Sequence, residues 1–304
     1  MVQRRQKTLS QELEFHGKGL HTGRVAHMVL KPAGENTGIV FHRTDLGNDA
    51  MVKALAENVG STARSTTIAN GEVSVSTIEH LMSALSGLGV DNAIIDIDNV
   101  EVPILDGSAR YYVEALQKSG LVTQAADKIF IELPHEIEVA DENSGSFIRV
   151  TPCEEPSIDL TVDFGSKVLG VQKAHWDLST DYSKELAPCR TFVFFHEIEY
   201  LFNNNLVKGG DVDNAIVIVE HPVSQEQVDR LSHLFNVPSL AIDDKGYLNN
   251  LKLHFPDECG RHKLLDMIGD LYLSGGLINA RIEAFKPGHS INTRMAKAIR
   301  EAIK

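Results

Sequence analysis

Leu264, Leu265, Ile268, Leu271 and Tyr272 recur three and four residues apart, the period of an amphipathic helix. The stretch Gly260 to Asp270 places His262, Asp266 and Asp270 on the side away from that stripe. At ~100° per residue, Asp266 lies about 40° from His262 and Asp270 about 80°. An earlier stretch, Ser76 to Leu85, repeats the theme. Ile78, Leu81, Met82 and Leu85 form its stripe, and His80 projects away from it with Glu79 alongside. Glycines follow each stretch (Gly87 and Gly89; Gly275 and Gly276) and end the helix. Then come an alternating strand (Asn92 to Ile97; Ile278 to Phe285), a turn and another helix. Ala109, Tyr112, Val113 and Leu116 face inward on the first of these closing helices, and the second runs from Ile291 to Lys304. The shared order predicts an α+β fold of two similar domains, each a β-sheet packed on helices, produced by duplication.

Between these landmarks, residues 7 to 43 read as strands and turns. Leu9, Leu13 and Phe15 share one run, and Val25 to Leu30 and Gly38 to Phe41 make two more. The turn-rich Gly17 to Gly23 carries His21, and short strands flank Asn70-Gly71. Gly120 to Lys128, small and polar, reads as a linker. It divides the chain into a first domain, 1–124, and a second, 128–304. Strands resume at Ile129 to Leu133, Phe147 to Val150 and Ile158 to Phe164, while 165–189 looks irregular. Arg190-Thr191-Phe192 leads into a helix with Ile198, Leu201 and Phe202 on one side. Ala215 to Val219 reads as a buried strand, and a short helix is expected near Gln225 to Phe235.

Composition narrows the functional classes. The 304 residues are 42% hydrophobic, enough for real cores, and carry a net charge of -13. That balance argues against a general nucleic-acid binder, which needs basic patches, and leaves room for a local basic pocket. Cys153, Cys189 and Cys259 show no CxxC spacing, which argues against a disulfide framework or a thiolate zinc site and fits a reducing cytoplasm. No apolar run approaches the ~20 residues of a membrane span. The basic start is followed by an alternating strand, so it does not read as a secretory signal. The chain closes inside a basic helix, which either frays or belongs to a longer chain.

In a two-domain protein the two polar helix sides can face each other across the domain interface, bringing His80, His262 and Asp266 together. Two histidines and a carboxylate with an open fourth position form the ligand set of a catalytic zinc site, where bound water is acidified toward ~7 and carbonyls are polarised. Glu79 is then the candidate general base and His289, in Gly288-His289-Ser290, the candidate acid. Asp270, turned away from the metal pair, suits a carboxylate that holds an imidazolium. Each residue has a plainer reading. Ser76-x-x-Glu79 is a capping box in pattern, His80 a surface histidine, His289 a helix starter, Lys263 a solvated lysine and Thr191 an ordinary strand residue. The ligand set alone also fits a mononuclear iron oxygenase.

Gly19-Leu-His-Thr-Gly23, Ser76-Thr-Ile-Glu-His80, Pro103-Ile-Leu-Asp-Gly-Ser108, Arg190-Thr-Phe192, Lys208-Gly-Gly210, Arg261-His-Lys-x-x-Asp266 with Gly269-Asp270, and Gly288-His-Ser290 occur in this order. Over nearly its whole length the chain resembles the UDP-3-O-acyl-N-acetylglucosamine deacetylases, zinc amidases of lipid A synthesis. The resemblance implies two similar α+β domains with the active site between them. It implies hydrolysis of the 2-acetamido group of UDP-3-O-(3-hydroxyacyl)-N-acetylglucosamine to the amine and acetate, in the cytoplasm. By motif match, His80, His262 and Asp266 bind zinc (ferrous iron being an alternative occupant in cells), and Glu79 activates the zinc-bound water. His289 is the acid or charged stabiliser, oriented by Asp270, and Thr191 donates to the oxyanion. Lys263 and Phe192 contact substrate, and Phe164 stacks on the uracil. The segment from about 192 to 219 matches a βαβ insert that forms a passage for the acyl chain. Some lineages fuse a hydroxyacyl-carrier-protein dehydratase domain after the deacetylase, so this chain is expected to be such a half or a shortened form. A non-catalytic sugar-nucleotide binding module remains the competing reading.

Overall fold

The computed structural model describes residues 5–203, 207–235, 237 and 239–304, the side chains of Glu199, Phe202, Asn203 and Leu234 excepted. The place assigned to Phe202 therefore lies outside the described side chains. The first half contains strands β1 (Leu13–Lys18), β2 (Val25–Pro32), β3 (Ile39–Arg43), β4 (Met51–Lys53) and β5 (Ala93–Ile97), with helices α1 (Glu79–Leu88) and α2 (Arg110–Ser119). The second contains β6 (Ile137–Asp141), β7 (Ser146–Pro152), β8 (Ser157–Asp163), β9 (Val171–Asp177), an insert, helix α5 (Glu258–Tyr272), β12 (Ala280–Phe285) and helix α6 (His289–Ala302). In the insert, β10 (Phe192–Phe194) and β11 (Ile216–Ile218) pair in parallel across helix α3 (Phe195–Asn203), and helix α4 (Gln225–Leu234) follows.

Each half forms a five-stranded sheet, in the orders β1-β2-β5-β3-β4 and β6-β7-β12-β8-β9. The orders correspond strand for strand, and each sheet has one parallel pair, β3 with β5 and β8 with β12. The expected duplication is thus present in the topology. Alternation fixes the faces: Ala26, Met28 and Leu30 on β2, Ala93, Ile95 and Ile97 on β5, and Ala280, Ile282 and Ala284 on β12 point inward. They join the apolar residues of α1, α2, α5 and α6 in one core.

Helices α1 and α5 pack on each other inside that core. Neither has a solvated side. Glu79, His80 and Ser83 are buried with Leu81 and Leu85, and His262, Asp266 and Asp270 with Leu264 and Leu265. The polar sides therefore meet within a helix–helix contact, closer than an open cleft would bring them. Gly269 permits it, since a methyl group there would overlap the Glu79 carbonyl oxygen.

Several local expectations need correction. The supposed linker contains a strand, Leu121–Asp127, antiparallel to Arg5–Leu9. The Asn92 side-chain amide donates to both Gln6 and Gln124 and ties the pair together. The run containing Leu9, Leu13 and Phe15 is two strands, Arg5–Leu9 and β1. The irregular stretch contains β9, whose inward residues are Gln172 and Ala174, too weak an apolar pattern to stand out. Strand β6 also escaped the reading. Helix α1 continues through Gly87 and ends at Gly89, in the left-handed region at φ 72°. The strands flanking Asn70-Gly71 and the helix at Gln225 form as expected. Among the described residues, no helix is long and apolar enough to cross a membrane.

Candidate active site

The start of α1 is held by tertiary contacts. The Ser76 hydroxyl donates to the Val100 carbonyl at 3.2 Å, and no side chain caps the helix, so the capping box does not form. Glu79 Oε2 instead accepts the Thr66 backbone N–H at 3.0 Å, and its Oε1 lies 3.9 Å from His289 Nε2. Thr77, two residues before the helix, sits at φ 58°. A left-handed β-branched residue costs about 1–2 kcal/mol, and such strain gathers at functional sites. The Thr77 hydroxyl donates to Glu101 at 2.9 Å. Glu101 also accepts the N–H groups of His21 and Thr22, at 2.8 Å each, tying the Gly19–Gly23 loop to the start of α1.

His80, His262 and Asp266 meet where the helices cross. Asp266 Oδ1 lies 3.3 Å from His80 Nε2 and 3.4 Å from His262 Nε2, and the three ligand atoms lie within 4.8 Å of one another. Asp266 Oδ1 is buried and, among the described residues, has no hydrogen-bond partner. An orphaned carboxylate oxygen facing two ring nitrogens is a place a divalent cation fits. His262 Nδ1–H donates to the Cys189 carbonyl at 3.0 Å, which leaves the Nε2 lone pair on the side of Asp266, available to a cation. Burial pushes the His262 imidazole down to about 3 despite the Asp266 charge, keeping it in the neutral form that metals bind. Burial opposes the Asp266 carboxylate, but the cationic and polar groups around it, Lys263 among them, outweigh that and hold its pKa well below the usual range.

On the flank, His289 opens α6 and its Nδ1–H donates to Asp270 Oδ2 at 3.0 Å. Asp270 also accepts the Thr66 hydroxyl at 2.5 Å and the Asn292 amide at 2.9 Å. Burial disfavours the His289 imidazolium, yet Asp270 and Glu79 prevail and push it up to about 9. Glu79 is itself raised, chiefly by burial, against the opposing pull of His289 and His80.

Lys263 Nζ donates to Asp266 Oδ2 at 3.0 Å, an internal partner that the sequence did not signal. It lies 5.5 Å from the Phe192 ring centroid. Phe164 meets Phe192 edge-on at 5.3 Å, so both are in one aromatic cluster beside the site. Thr191 is half-buried. Among the described contacts it reaches the His80–His262–Asp266 cluster through its neighbours: Cys189 accepts from His262, and the Phe192 ring lies 6.2 Å from the His262 ring. Thr191 instead lines, with His21, Arg64 and Phe192, a groove that continues along Ile198, Leu201 and Val217 of the insert.

A profile of the UDP-3-O-acyl N-acetylglycosamine deacetylase family matches residues 6–235 and 236–301. The chain belongs to this family. It is 45% identical over 300 residues to a Porphyromonas gingivalis protein named bifunctional enzyme LpxC/FabZ, covering 99% of this chain and 65% of the relative. A protein of the same name from Bacteroides thetaiotaomicron is 44% identical with the same coverage. A UDP-3-O-acyl-N-acetylglucosamine deacetylase from Pseudomonas entomophila is 40% identical over 97% of this chain and 90% of the relative. The chain thus spans about two thirds of the bifunctional relatives' length.

Thr66, Glu101 and Asn292 were absent from the sequence reading. Each is an ordinary polar residue whose partner is distant in the chain, as Thr66 is from Asp270, and no local pattern marks it.

Proposed function

We propose that the chain is a zinc-dependent amide hydrolase that removes the acetyl group from the 2-amino position of UDP-3-O-(3-hydroxyacyl)-N-acetylglucosamine, releasing acetate, the committed step of lipid A synthesis. One observation carries the reading. A metal-type triad of two histidines and an aspartate sits beside a buried glutamate and a histidine pushed toward its charged form. An iron oxygenase or a pure binding module has no use for that second pair. Family membership and the relatives' names supply the substrate class. The unpaired cysteines and the nucleotide carrier suit the cytoplasm.

His80, His262 and Asp266 would hold the metal, and ferrous iron fits the same ligand set. A zinc ion there supplies Lewis acidity, which makes water nucleophilic near neutral pH and polarises the amide carbonyl. Glu79 takes a proton from the attacking water. Its raised pKa brings it closer to the working pH, where a general base is most effective. The Thr66 N–H holds Oε2, which leaves Oε1 on the side that faces the His289 ring, 3.9 Å away. His289, charged at neutral pH, gives its proton to the departing amine, and Asp270 keeps the ring oriented. The Thr191 hydroxyl donates to the oxyanion. Lys263 has two further N–H donors for substrate oxygens, and Phe164 and Phe192 offer ring faces to the uracil. The apolar groove along the insert suits the acyl chain. Elemental analysis joined to an acetate-release assay tests the proposal. One zinc per chain with acetate released from the UDP-sugar is expected, and metal-loaded protein that binds the UDP-sugar without releasing acetate defeats it.

A further inference from the structure

Glu258 lies in the first turn of α5, and its carboxylate is 0% exposed. It accepts four N–H groups: Arg190 Nε at 2.8 Å, an Arg190 terminal nitrogen at 3.2 Å, the Arg190 backbone at 3.1 Å and the His254 backbone at 2.6 Å. Arg190 also donates to the Lys252 carbonyl at 2.7 Å. An acid in the first turn of a helix is favoured by the helix dipole. These bonds, however, all leave the helix, and most reach one residue.

That residue occupies a particular place. Arg190 follows Cys189, whose carbonyl takes the His262 N–H, and precedes Thr191. Glu258 stands one turn before His262 on the same helix. The next part of that turn is pinned separately, since the Gly260 N–H donates to Gln172 of β9 at 2.6 Å. A buried ion pair is weak as a source of stability, because well-packed apolar residues often replace it at no loss. Its geometry is a stronger reason for its presence.

We propose that the Arg190–Glu258 pair is a register lock between α5 and the segment entering β10. It sets where the Cys189 carbonyl meets His262, and so how that ring is aimed. It also sets where Thr191 stands relative to the metal ligands. Both are positioning residues that act through Cys189, His262 and Thr191. The inference rests on the deacetylase reading and adds the element that aligns its parts.

The test compares wild type with the double variant Arg190→Met/Glu258→Leu, which replaces the pair with apolar bulk, and with Glu258→Gln, which keeps shape and one acceptor oxygen. Near-UV circular dichroism reports folding. Zinc affinity is read by competition with a chromogenic chelator, and ligand geometry from the visible spectrum of the cobalt-substituted protein. Loss of a group that orients a metal ligand costs about 10–100-fold in affinity or activity. The double variant is expected to fold, bind zinc more weakly by that factor, shift the cobalt spectrum and lose kcat with KM within about twofold. Glu258→Gln loses less on each count. A folded variant of either kind with wild-type zinc affinity and cobalt spectrum overturns the lock. Wild-type protein that itself binds no zinc overturns the deacetylase reading instead.

Discussion

The two sides of the site hold the same residue types and drive them to opposite charge states. In the candidate metal pocket, His262 faces a carbonyl, a second imidazole and one aspartate, and burial wins, leaving the ring neutral. In the flanking pocket, His289 is also deeply set, yet Asp270 and Glu79 both face it and the charge wins. The two histidines stand on consecutive helices of one half. The number of nearby carboxylates, and the Lys263 and His80 charges on the His262 side, thus separate the proposed metal ligand from the proposed proton donor.

Breaking the metal pocket has the largest expected effect. His262→Ala should lose bound zinc by elemental analysis and all measurable acetate release, whereas His289→Ala should keep zinc. Loss of zinc from both variants would mean that the two pockets are not separable. Glu79→Gln comes next. It should retain one zinc per chain and lower kcat about 10²–10⁴-fold, the range for a positioned acid or base. Acetate release at the wild-type rate would remove Glu79 from the mechanism.

Asp270→Asn acts on the flanking pocket alone. In the proposed mechanism His289 acts as an acid only while protonated, so activity should fall as pH rises through about 9. Removing the Asp270 charge takes away the main group that raises this pKa, so the alkaline limb of kcat/KM should move to lower pH. A shift of roughly 1–2 units is expected for losing one close opposite charge. A limb that stays in place would show that another group titrates there.

Much of this contrast is legible in the amino-acid sequence. His80 and His262 stood out because each departs from an otherwise apolar helical period, and a helix period can be read locally. The duplication was visible because both halves keep the order helix, glycine, strand, turn, helix. Long-range properties were not legible. The side facing away from each stripe was expected to border a cleft, but small Gly269 lets α1 and α5 close on each other and bury both sides. Leu121–Asp127 looked like a linker because its stability comes from backbone pairing and the Asn92 amide, which leave no apolar signature. Nothing near Thr66 announces that its partner is 204 residues away.

Thr66 yields the smallest effect and the finest test, because it touches both carboxylates of the flanking pocket. Its N–H serves Glu79, and its hydroxyl serves Asp270. Thr66→Val removes only the hydroxyl, so Glu79 stays anchored while Asp270 loses a donor. An Asp270 oxygen less committed to Thr66 attracts the His289 proton more strongly, so the alkaline limb should move to higher pH, opposite to Asp270→Asn, by less than about one unit. Catalysis should fall only a few-fold, because His289 and its contact with Asp270 both remain. Stability should drop by about 1–3 kcal/mol, the cost of leaving a buried acceptor short of a partner. The sign is decisive: a limb that moves down in both variants would mean that the hydroxyl, and not the charge of Asp270 alone, sustains the imidazolium.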